Sequence, residues 1–382
     1  MEYKQNAIVF GNDHTNTAGI VQCLGREGFM VSAVVWGAKN GIVASSKYAS
    51  KVYSASTPDE CVDLICNQFK GVEAVIIACS DSAAIALERK RDSLSADLRY
   101  EYTNGEWRIE ELCEKDIQVK LAKEVGFNVP WSSVSIETTD DIPSEVPFPC
   151  ITKSLVSCKG SKSDLTIVRS QDELCPLLEK LLAHTPKILL QQYIERDYEI
   201  SILGCGLRNG DCIIPCVENK LTLYPQNVGL ECLANMQPLE DESIIQPIRA
   251  LIKRIGYVGL FSIEMMHCRT DGKFYFTEIN LRNDGANSFV YKYGVNLPLN
   301  HIEDLLELPI TKYNDFHPGY YIWEMHHSLS LVHRELSLTQ WLKELKMSKG
   351  FLLYFPEDKK PFFKQYKNWI LSTLHLRKNE SY

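Results

Sequence analysis

The segment FTEINLRNDG, residues 276–285, places several polar side chains at the end of a hydrophobic run. Alternate residues of a strand share a face, so Glu278, Asn280 and Arg282 are predicted to point the same way. Carboxylate and amide oxygens are hard ligands suited to Mg²⁺, and a guanidinium can neutralise phosphate oxygens. Taken alone, the pattern favours a solvent-facing polar edge of a half-buried sheet over a metal site.

A second carboxylate, Glu264, shifts the interpretation towards a metal site. It lies in the preceding run FSIEMM, and the intervening turn TDGK predicts that the two runs form a hairpin. Such a hairpin can bring Glu264 opposite Glu278. Two acids and an amide on one face need a cation to relieve their repulsion. The sequence therefore favours a divalent metal at Glu264, Glu278 and Asn280 over a cross-strand acid paired with a lysine.

Two lysines upstream have the type and position needed to bind phosphates. Lys153 ends the short strand CITK before the small, basic loop SLVSCKGSKSD, and Lys115 begins a helix. Taken alone, each of the two is more simply interpreted as an ordinary exposed lysine. Further along, QQYIERDYEISIL joins two apolar strands and could offer backbone groups to an adenine, with Glu199 near the ribose hydroxyls. A plain strand connection is the alternative.

Candidate substrate contacts are a mixed set of basic and polar residues: Lys220, Arg208, Lys292, His14, Asn283 and Asp284. The lysines and the arginine could equally be surface groups, and His14 could equally cap a loop. The histidines form no convincing metal set. No Ser–His–Asp or Cys–His arrangement is visible in the local sequence.

Composition limits the class of protein. A chain of 382 residues exceeds one ordinary core, which predicts two or three lobes. A net charge of −8 argues against a general nucleic-acid or membrane-surface binder. Thirteen cysteines, an odd number without a C-x-x-C pair, indicate reduced core residues. With no signal peptide and no apolar run long enough to cross a bilayer, the sequence predicts a cytoplasmic protein.

The organisation changes along the chain. The strands NAIVFG, MVSAVVWG and EAVIIACSD alternate with helices, which predicts βαβ units on a parallel sheet. The first loop, GNDHTNTAG, lacks G-x-G-x-x-G, so a dinucleotide-dependent oxidoreductase is disfavoured. After about residue 113, runs of strands predict an antiparallel or mixed α+β body. In the tail, the amphipathic segment FFKQYKNWILSTL is expected to pack on the core rather than on a membrane.

In this order the features resemble the ATP-grasp superfamily, within it the carboxylate–amine ligase group that includes D-aspartate ligase and carbamoyl-phosphate-synthase-like proteins. CEK at 113–115, FPCITKS around Lys153 and the acid–amide–arginine set carry the resemblance. It implies an α/β plus α+β fold: a Rossmann-like pre-ATP-grasp domain, then a two-lobed ATP-grasp fold. The implied domains are 1–112, 113–311 (small lobe about 113–190, large lobe about 191–311) and a C-terminal extension, 312–382, packed on the large lobe.

The resemblance also implies residue roles. Lys115 and Lys153 would bind phosphates, Lys153 and Arg282 would be catalytic, and Glu199 would bind the ribose. The adenine-binding segment would be Gln191, Gln192, Tyr193 and Ile194. The ligands of two Mg²⁺ ions, with Mn²⁺ as a substitute, would be Glu264, Glu278 and Asn280.

The implied activity is ATP-dependent ligation of a small carboxylate to an amine through an acyl phosphate. The carboxylate would be an amino acid or a similar small acid. Phosphorylation of a small acid and an inactive nucleotide-binding regulatory protein remain as alternatives. The partners would be small molecules rather than nucleic acid, and a homodimer is left open.

Overall fold

A computed structural model of the protein describes residues 5–37, 40–154, 166–226 and 229–379. Side chains are not described for residues 153–154 and 373–379. The predicted phosphate loop SCKGSKSD therefore lies outside the described residues, as does the side chain of Lys153.

The N-terminal part is a parallel five-stranded sheet with the strand order β3-β2-β1-β4-β5. Its strands are β1 (Asn6–Asn12), β2 (Met30–Trp36), β3 (Ala49–Ala55), β4 (Ala74–Ala78) and β5 (Leu98–Arg99). The helices are α1 (Thr15–Arg26), α2 (Pro58–Gln68) and α3 (Asp81–Arg89). The parallel sheet confirms the prediction, but the sequence missed β3. This edge strand, ASKVYSA, is only partly buried and so lacks the apolar run that marks its neighbours.

A small antiparallel sheet of order β8-β7-β9 follows. This part contains β6 (Tyr102–Thr103), α4 (Ile109–Leu112), α5 (Lys115–Glu124), β7 (Cys150–Ser154), β8 (Thr166–Val168), α6 (Gln171–Leu182) and β9 (Ile188–Gln192). Three 3₁₀ helices occupy Val43–Ser45, Arg91–Ser93 and Thr139–Asp141. The small sheet has its own core, which includes Cys150, Leu174 and Ile188.

The largest sheet has the order β15-β14-β10-β12-β13-β16-β17, with β11 beside β10 and β6 beside β14. Its other strands are β10 (Arg196–Gly206), β11 (Cys212–Ile213), β12 (Cys216–Tyr224), β13 (Leu230–Pro238), β14 (Tyr257–Cys268), β15 (Phe274–Asn280), β16 (Gly319–Ile322) and β17 (Ser348–Phe351). The helices are α7 (Glu242–Ile255), α8 (Asn287–Tyr293), α9 (Leu297–Leu305), α10 (Glu324–Val332), α11 (Leu338–Met347) and α12 (Lys360–Asn379). Among the described strands of this sheet, β16 and β17 pair in parallel and the other pairs are antiparallel, so the predicted antiparallel or mixed body is confirmed.

The parallel sheet and the largest sheet share a continuous core. Buried Ile8 and Ile76 of the first belong to the same cluster as Phe261 and Ile263 of the second. This common core holds the C-terminal ends of β1 and β4 beside the largest sheet, and residues from both sheets can therefore contribute to one site.

The tail is held against the body by a half-buried lysine and a buried glutamate. The Lys292 ammonium donates to the carbonyl of Leu352 at 3.0 Å and to those of Phe351 and Tyr354. The Glu324 carboxylate accepts the backbone N–H groups of Leu352 and Tyr354 at 2.8 and 3.0 Å. Lys292, a candidate substrate residue in the sequence, therefore anchors the tail instead.

The described part of the chain contains no helix that is long and apolar enough to cross a membrane. The twelve cysteines within it are all free, which agrees with the prediction of reduced core residues.

Candidate active site

The two predicted metal-binding glutamates face each other across the β14–β15 hairpin. Glu264 is the register partner of Glu278, and Ser262 is the partner of Asn280. Directly opposed residues of an antiparallel pair share a face, and so do residues two apart. Glu264, Glu278 and Asn280 consequently form one patch, as the hairpin prediction required.

Two lysines border this patch from opposite sides. The ammonium of Lys220 lies 3.1 Å from Glu264 Oε2, and that of Lys115 lies 3.6 Å from Glu278 Oε2. Burial, reinforced by the charge of Glu278, raises the pKa of Glu264. Burial also opposes the charge on Lys220, but the surrounding carboxylates outweigh it and raise the pKa of this lysine. Lys220 is therefore a permanent cation at the patch.

The position of Lys115 follows from a side-chain contact one turn further along α5. The amide of Gln118 donates to the carbonyl of Ile279 at 2.9 Å and accepts its N–H at 3.1 Å. Residues three apart on a helix lie on the same side, so this contact directs Lys115 towards Glu278, the neighbour of Ile279. The helix start is thereby aligned with the metal-ligand candidates.

Arg282 lies two residues beyond β15 and is held by two carboxylates. Its Nη1 donates to Asp284 Oδ2 at 2.8 Å, and its Nε lies 3.3 Å from Asp81 Oδ1. Asp284 also accepts a hydrogen bond from Ser262 at 3.1 Å. Although burial alone would raise the pKa of Asp284, the charge of Arg282 lowers it. The guanidinium therefore has a defined orientation beside Asn280, whose Nδ2 lies 3.4 Å from the Ser262 hydroxyl.

Asn283, predicted to contact substrate, joins the two sheets. Its N–H donates to the Ala78 carbonyl at 2.9 Å, and its side-chain oxygen accepts from Asn287 at 2.8 Å. Its carbonyl accepts from Asn16 in the first βα segment at 3.0 Å. Because protein groups occupy these atoms, Asn283 positions its neighbours Arg282 and Asp284.

His14 lies at the N-cap of α1, where its Nδ1 accepts the Asn16 N–H at 3.3 Å. This is the capping role that the sequence left open. Burial lowers the pKa of His14, while the charges of Asp13 and Asp284 oppose that shift. The histidine therefore borders the Asp284 end of the site and stays largely uncharged at neutral pH.

The segment predicted to bind adenine connects β9 to β10. The N–H of Gln192 donates to Trp131 at 2.8 Å and that of Tyr193 to Pro149 at 2.9 Å. The Gln191 amide donates to the Ser132 hydroxyl at 3.0 Å. Among the described residues, none accepts the N–H of Ile194, which leaves this group available to a ligand.

The predicted ribose residue, Glu199, borders a cavity of about 370 Å³. Its carboxylate pairs with Arg196 and lies 4.0 Å from the Lys220 ammonium. Lys220, Thr222 and Cys232 also line this cavity. The cavity therefore begins at the ribose candidate and continues along the largest sheet.

One predicted substrate residue, Arg208, lies away from this constellation. Arg208 extends from the far end of β10 and pairs with Glu307 at 2.8 Å, near Asp304. These two carboxylates neutralise the charge of Arg208 at a distance from the patch. The backbone of Lys153 lies in β7 opposite Leu189, and its predicted phosphate role remains a prediction.

Sequence reasoning missed several acidic groups near the patch. Glu218 and Glu231 are buried, and their charges act on Lys220. Glu218 precedes Lys220 by two residues in CVENK, and this alternation was the available signal for a shared face. Asp81 follows the strand AVIIA, whose C-terminal end is where parallel sheets place ligand-contacting residues.

The donor set fits Mg²⁺. Two opposed carboxylates with an adjacent amide oxygen supply hard oxygen ligands. The described residues contain no group of three or more His, Cys, Asp or Glu side chains able to hold a metal. An ion at Glu264, Glu278 and Asn280 would thus need further oxygens from a bound phosphate or from water, as Mg²⁺ usually does.

Comparison with known proteins agrees with this geometry. Residues 120–289 match the family model of the ATP-grasp domain. The match covers less than half of the chain, and the parallel N-terminal sheet followed by a mixed α/β body agrees with the ATP-grasp fold predicted from the sequence.

Individual relatives are distant. The chain is 26% identical over 244 residues to D-aspartate ligase of Enterococcus faecium (strain Aus0004), covering 60% of this chain and 58% of that one. It spans only about half the length of the relatives it matches in sequence. N5-carboxyaminoimidazole synthetase from Staphylococcus aureus superposes with a TM-score of 0.66 at 13% identity. The superposition covers 88% of this chain and 86% of that one. L-amino acid ligase from Bacillus licheniformis superposes with a TM-score of 0.58 at 14% identity. The superposition covers 84% of this chain and 79% of that one.

Proposed function

We propose that the protein is an ATP- and Mg²⁺-dependent carboxylate–amine ligase that forms an amide or peptide bond. The observation that carries the proposal is the opposed pair Glu264–Glu278 with Asn280 beside it, flanked by Lys115, Lys220 and the fixed guanidinium of Arg282. A site with this distribution of charge suits a triphosphate and a developing phosphoryl charge.

ATP is proposed to lie between the β9–β10 connection and the largest sheet. The free N–H of Ile194 would donate to the adenine, and Glu199 would accept the ribose hydroxyls beside the cavity. Lys115 and Lys153 would bind the phosphates. Mg²⁺ bound by Glu264, Glu278 and Asn280 would offset the negative charge of the triphosphate.

The reaction needs no nucleophile from the protein. An oxygen of the substrate carboxylate attacks the γ-phosphorus of ATP, the bond to the ADP oxygen breaks, and an acyl phosphate forms. The amine nitrogen then attacks the acyl carbon, the bond to phosphate breaks, and the amine loses its proton. Catalysis comes from positioning and from cations such as Arg282 placed where charge develops.

The substrate class is proposed from chemistry and from the relatives together. Three matched proteins are named as ligases: D-aspartate ligase, D-alanine–D-alanine ligase and L-amino acid ligase. These names support an amino acid or a similar small acid as the carboxylate. The polar, closely spaced site also favours small molecules over polymers.

The test is ADP release from ATP and Mg²⁺ in the presence of a panel of the twenty amino acids, added as carboxylates, with ammonium chloride and the same amino acids as amines. We expect ADP release that depends on both partners and hydroxamate formation when hydroxylamine replaces the amine. ADP release without any amide or peptide product would instead identify a kinase of small acids. ATP binding without turnover on any pair would identify a nucleotide-binding regulatory protein and contradict the proposal.

A further inference from the structure

Glu218 shares a row of side chains with the metal-ligand candidates. Glu278 faces Glu264, Glu264 faces Ser201, and Ser201 faces Glu218 in successive antiparallel strands. Directly opposed residues point to the same side of a sheet. Glu218 therefore faces the site, two strand spacings, or about 10 Å, from Glu264.

The carboxylate of Glu218 is buried without a partner. The residue is 1% exposed, and neither carboxylate oxygen has a hydrogen-bond partner among the described residues. Burial, together with the charge of Glu231, raises the pKa of Glu218 well above its ordinary value. Burial also raises the pKa of Glu231, to about 7. A buried unpaired carboxyl group is costly, so a protein that keeps one at its site gains from a cation that binds there.

Among the described residues, the cations near Glu218 form their ion pairs with other carboxylates. The Lys220 ammonium lies 3.1 Å from Glu264 and 4.0 Å from Glu199. The Arg282 guanidinium is held by Asp284 and Asp81. Lys220 is thus a single ammonium among four carboxylates whose charges act on it: Glu264, Glu231, Glu218 and Glu199.

An organic cation fits the Glu218 end better than a metal ion does. The described residues contain no group of three His, Cys, Asp or Glu side chains placed to hold a metal. An ammonium group instead needs only acceptors for its three N–H donors and tolerates a less regular arrangement. The 370 Å³ cavity is lined by Lys220, which lies two residues from Glu218, and by Cys232, which follows Glu231 in the chain.

We propose that Glu218, supported by Glu231, binds the ammonium group of the amine co-substrate. The proposal rests on the ligase function proposed above. It assigns different roles to the two ends of the row of side chains that runs from Glu278 to Glu218. Glu264 and Glu278 serve the ATP end, and Glu218 holds the amine about two strands away. The enzyme would then discriminate against neutral nucleophiles by charge.

The first experiment compares a charged and an uncharged nucleophile in the variant Glu218→Gln. With the amine that gives turnover in the panel, we expect KM for the amine to rise about 10- to 100-fold, as loss of a charge-assisted hydrogen bond predicts. Hydroxylamine is uncharged at neutral pH, so hydroxamate formation should continue at the wild-type rate. Equal loss of both reactions, or an unchanged KM for the amine, would overturn the proposal.

The second experiment needs no turnover. Ammonium chloride should raise the melting temperature of the wild-type protein more than potassium chloride at equal ionic strength, and this difference should vanish in Glu218→Gln. Glu231→Gln should weaken the difference, and Glu240→Gln, a change of an exposed glutamate, should retain it. No ammonium-specific shift in the wild type would overturn the ammonium site even if ligase activity were found. A shift without activity would contradict only the ligase function.

Discussion

The side chain of Gln118 pairs with both backbone groups of Ile279, at 2.9 and 3.1 Å, and so fastens helix α5 to strand β15. The contact joins the helix that begins with Lys115 to the strand that bears Glu278 and Asn280. It therefore fixes the helix and the strand relative to each other on one side of the site. The position of Lys115 can be tested by changing Gln118 while the lysine itself is kept.

Replacing Gln118 with leucine should misplace Lys115. The change leaves the N–H and C=O of Ile279 unpaired in a buried place, which costs roughly 1–3 kcal/mol of unfolding free energy. KM for ATP should rise about 10-fold because a displaced phosphate contact loses about 1.4 kcal/mol. Steady-state kinetics and urea unfolding would measure both effects. Lys120→Met, an exposed change on the same helix, is the control, and a wild-type KM in Gln118→Leu would contradict the assignment.

Removing either opposed carboxylate should abolish most turnover. In Glu264→Gln and Glu278→Gln we expect ATP-dependent product formation to fall at least about 100-fold, the scale set by losing one electrostatic contact to the transition state. The apparent affinity for Mg²⁺ should fall as well, because each variant loses a hard anionic ligand. Product assays over a range of Mg²⁺ concentrations test this. Glu240→Gln serves as an exposed control, and full turnover in Glu278→Gln would rule out the site.

Arg282 should be sensitive to a conservative change. Lysine keeps the charge but cannot reach Asp284 and Asp81 together in the planar geometry of a guanidinium. For Arg282→Lys we expect kcat to drop about 100-fold with a nearly unchanged KM for ATP, since the group acts chiefly on the developing charge. Arg208→Lys, in which the changed residue pairs with Glu307 away from the patch, should leave both constants near wild type. Matching losses in the two variants would contradict this distinction.

A buried acid–base pair makes a prediction about stability and pH. Glu101 Oε1 accepts the Ala78 N–H at 2.9 Å, and its Oε2 lies 3.9 Å from His301 Nε2. Burial raises the pKa of Glu101 from 4.5 to about 7 and lowers that of His301 from 6.5 to about 4. The stabilisation from Glu101 is present below pH 4.5 and is lost as the pH rises through 7. That from His301 is present above pH 6.5 and is lost as the pH falls through 4.

The two contributions change the free energy of unfolding in opposite directions with pH, so they should cancel in the wild type between pH 4.5 and 6.5. Replacing either residue should reveal the pH dependence due to the other. Relative to wild type, His301→Asn should lose stability as the pH rises from 4.5 to 7, by about 3 kcal/mol. Glu101→Gln should gain stability by a similar amount between pH 4 and 6.5, because only the histidine slope remains. Urea unfolding at half-unit pH steps measures both. Parallel profiles for the two variants would show that the pair does not titrate in this way.

Several elements show which parts of the fold the local sequence predicts and which it does not. The parallel sheet, the mixed body and the hairpin with Glu264 opposite Glu278 were all predictable, because periodicity two, a TDGK turn and buried apolar runs are local signals. The edge strand β3 was not, since its exposed face removes the apolar run. The role of Lys292 was not predictable either. Its ammonium donates to backbone carbonyls within residues 351–354, and no residue near Lys292 in the sequence indicates that contact.

What the sequence by itself determined was the chemistry available along each strand: the alternating acid, amide and arginine after β15 and the second acid before the turn. Only the tertiary structure decided which groups meet. It brought Lys220 to Glu264 from a strand that is not its neighbour and joined Asp81, at the start of α3, to Arg282. It also left the Glu218 carboxylate without a hydrogen-bond partner among the described residues. Strand order and register set these encounters through the shared core, and no local pattern encodes a contact between residues so far apart in the chain.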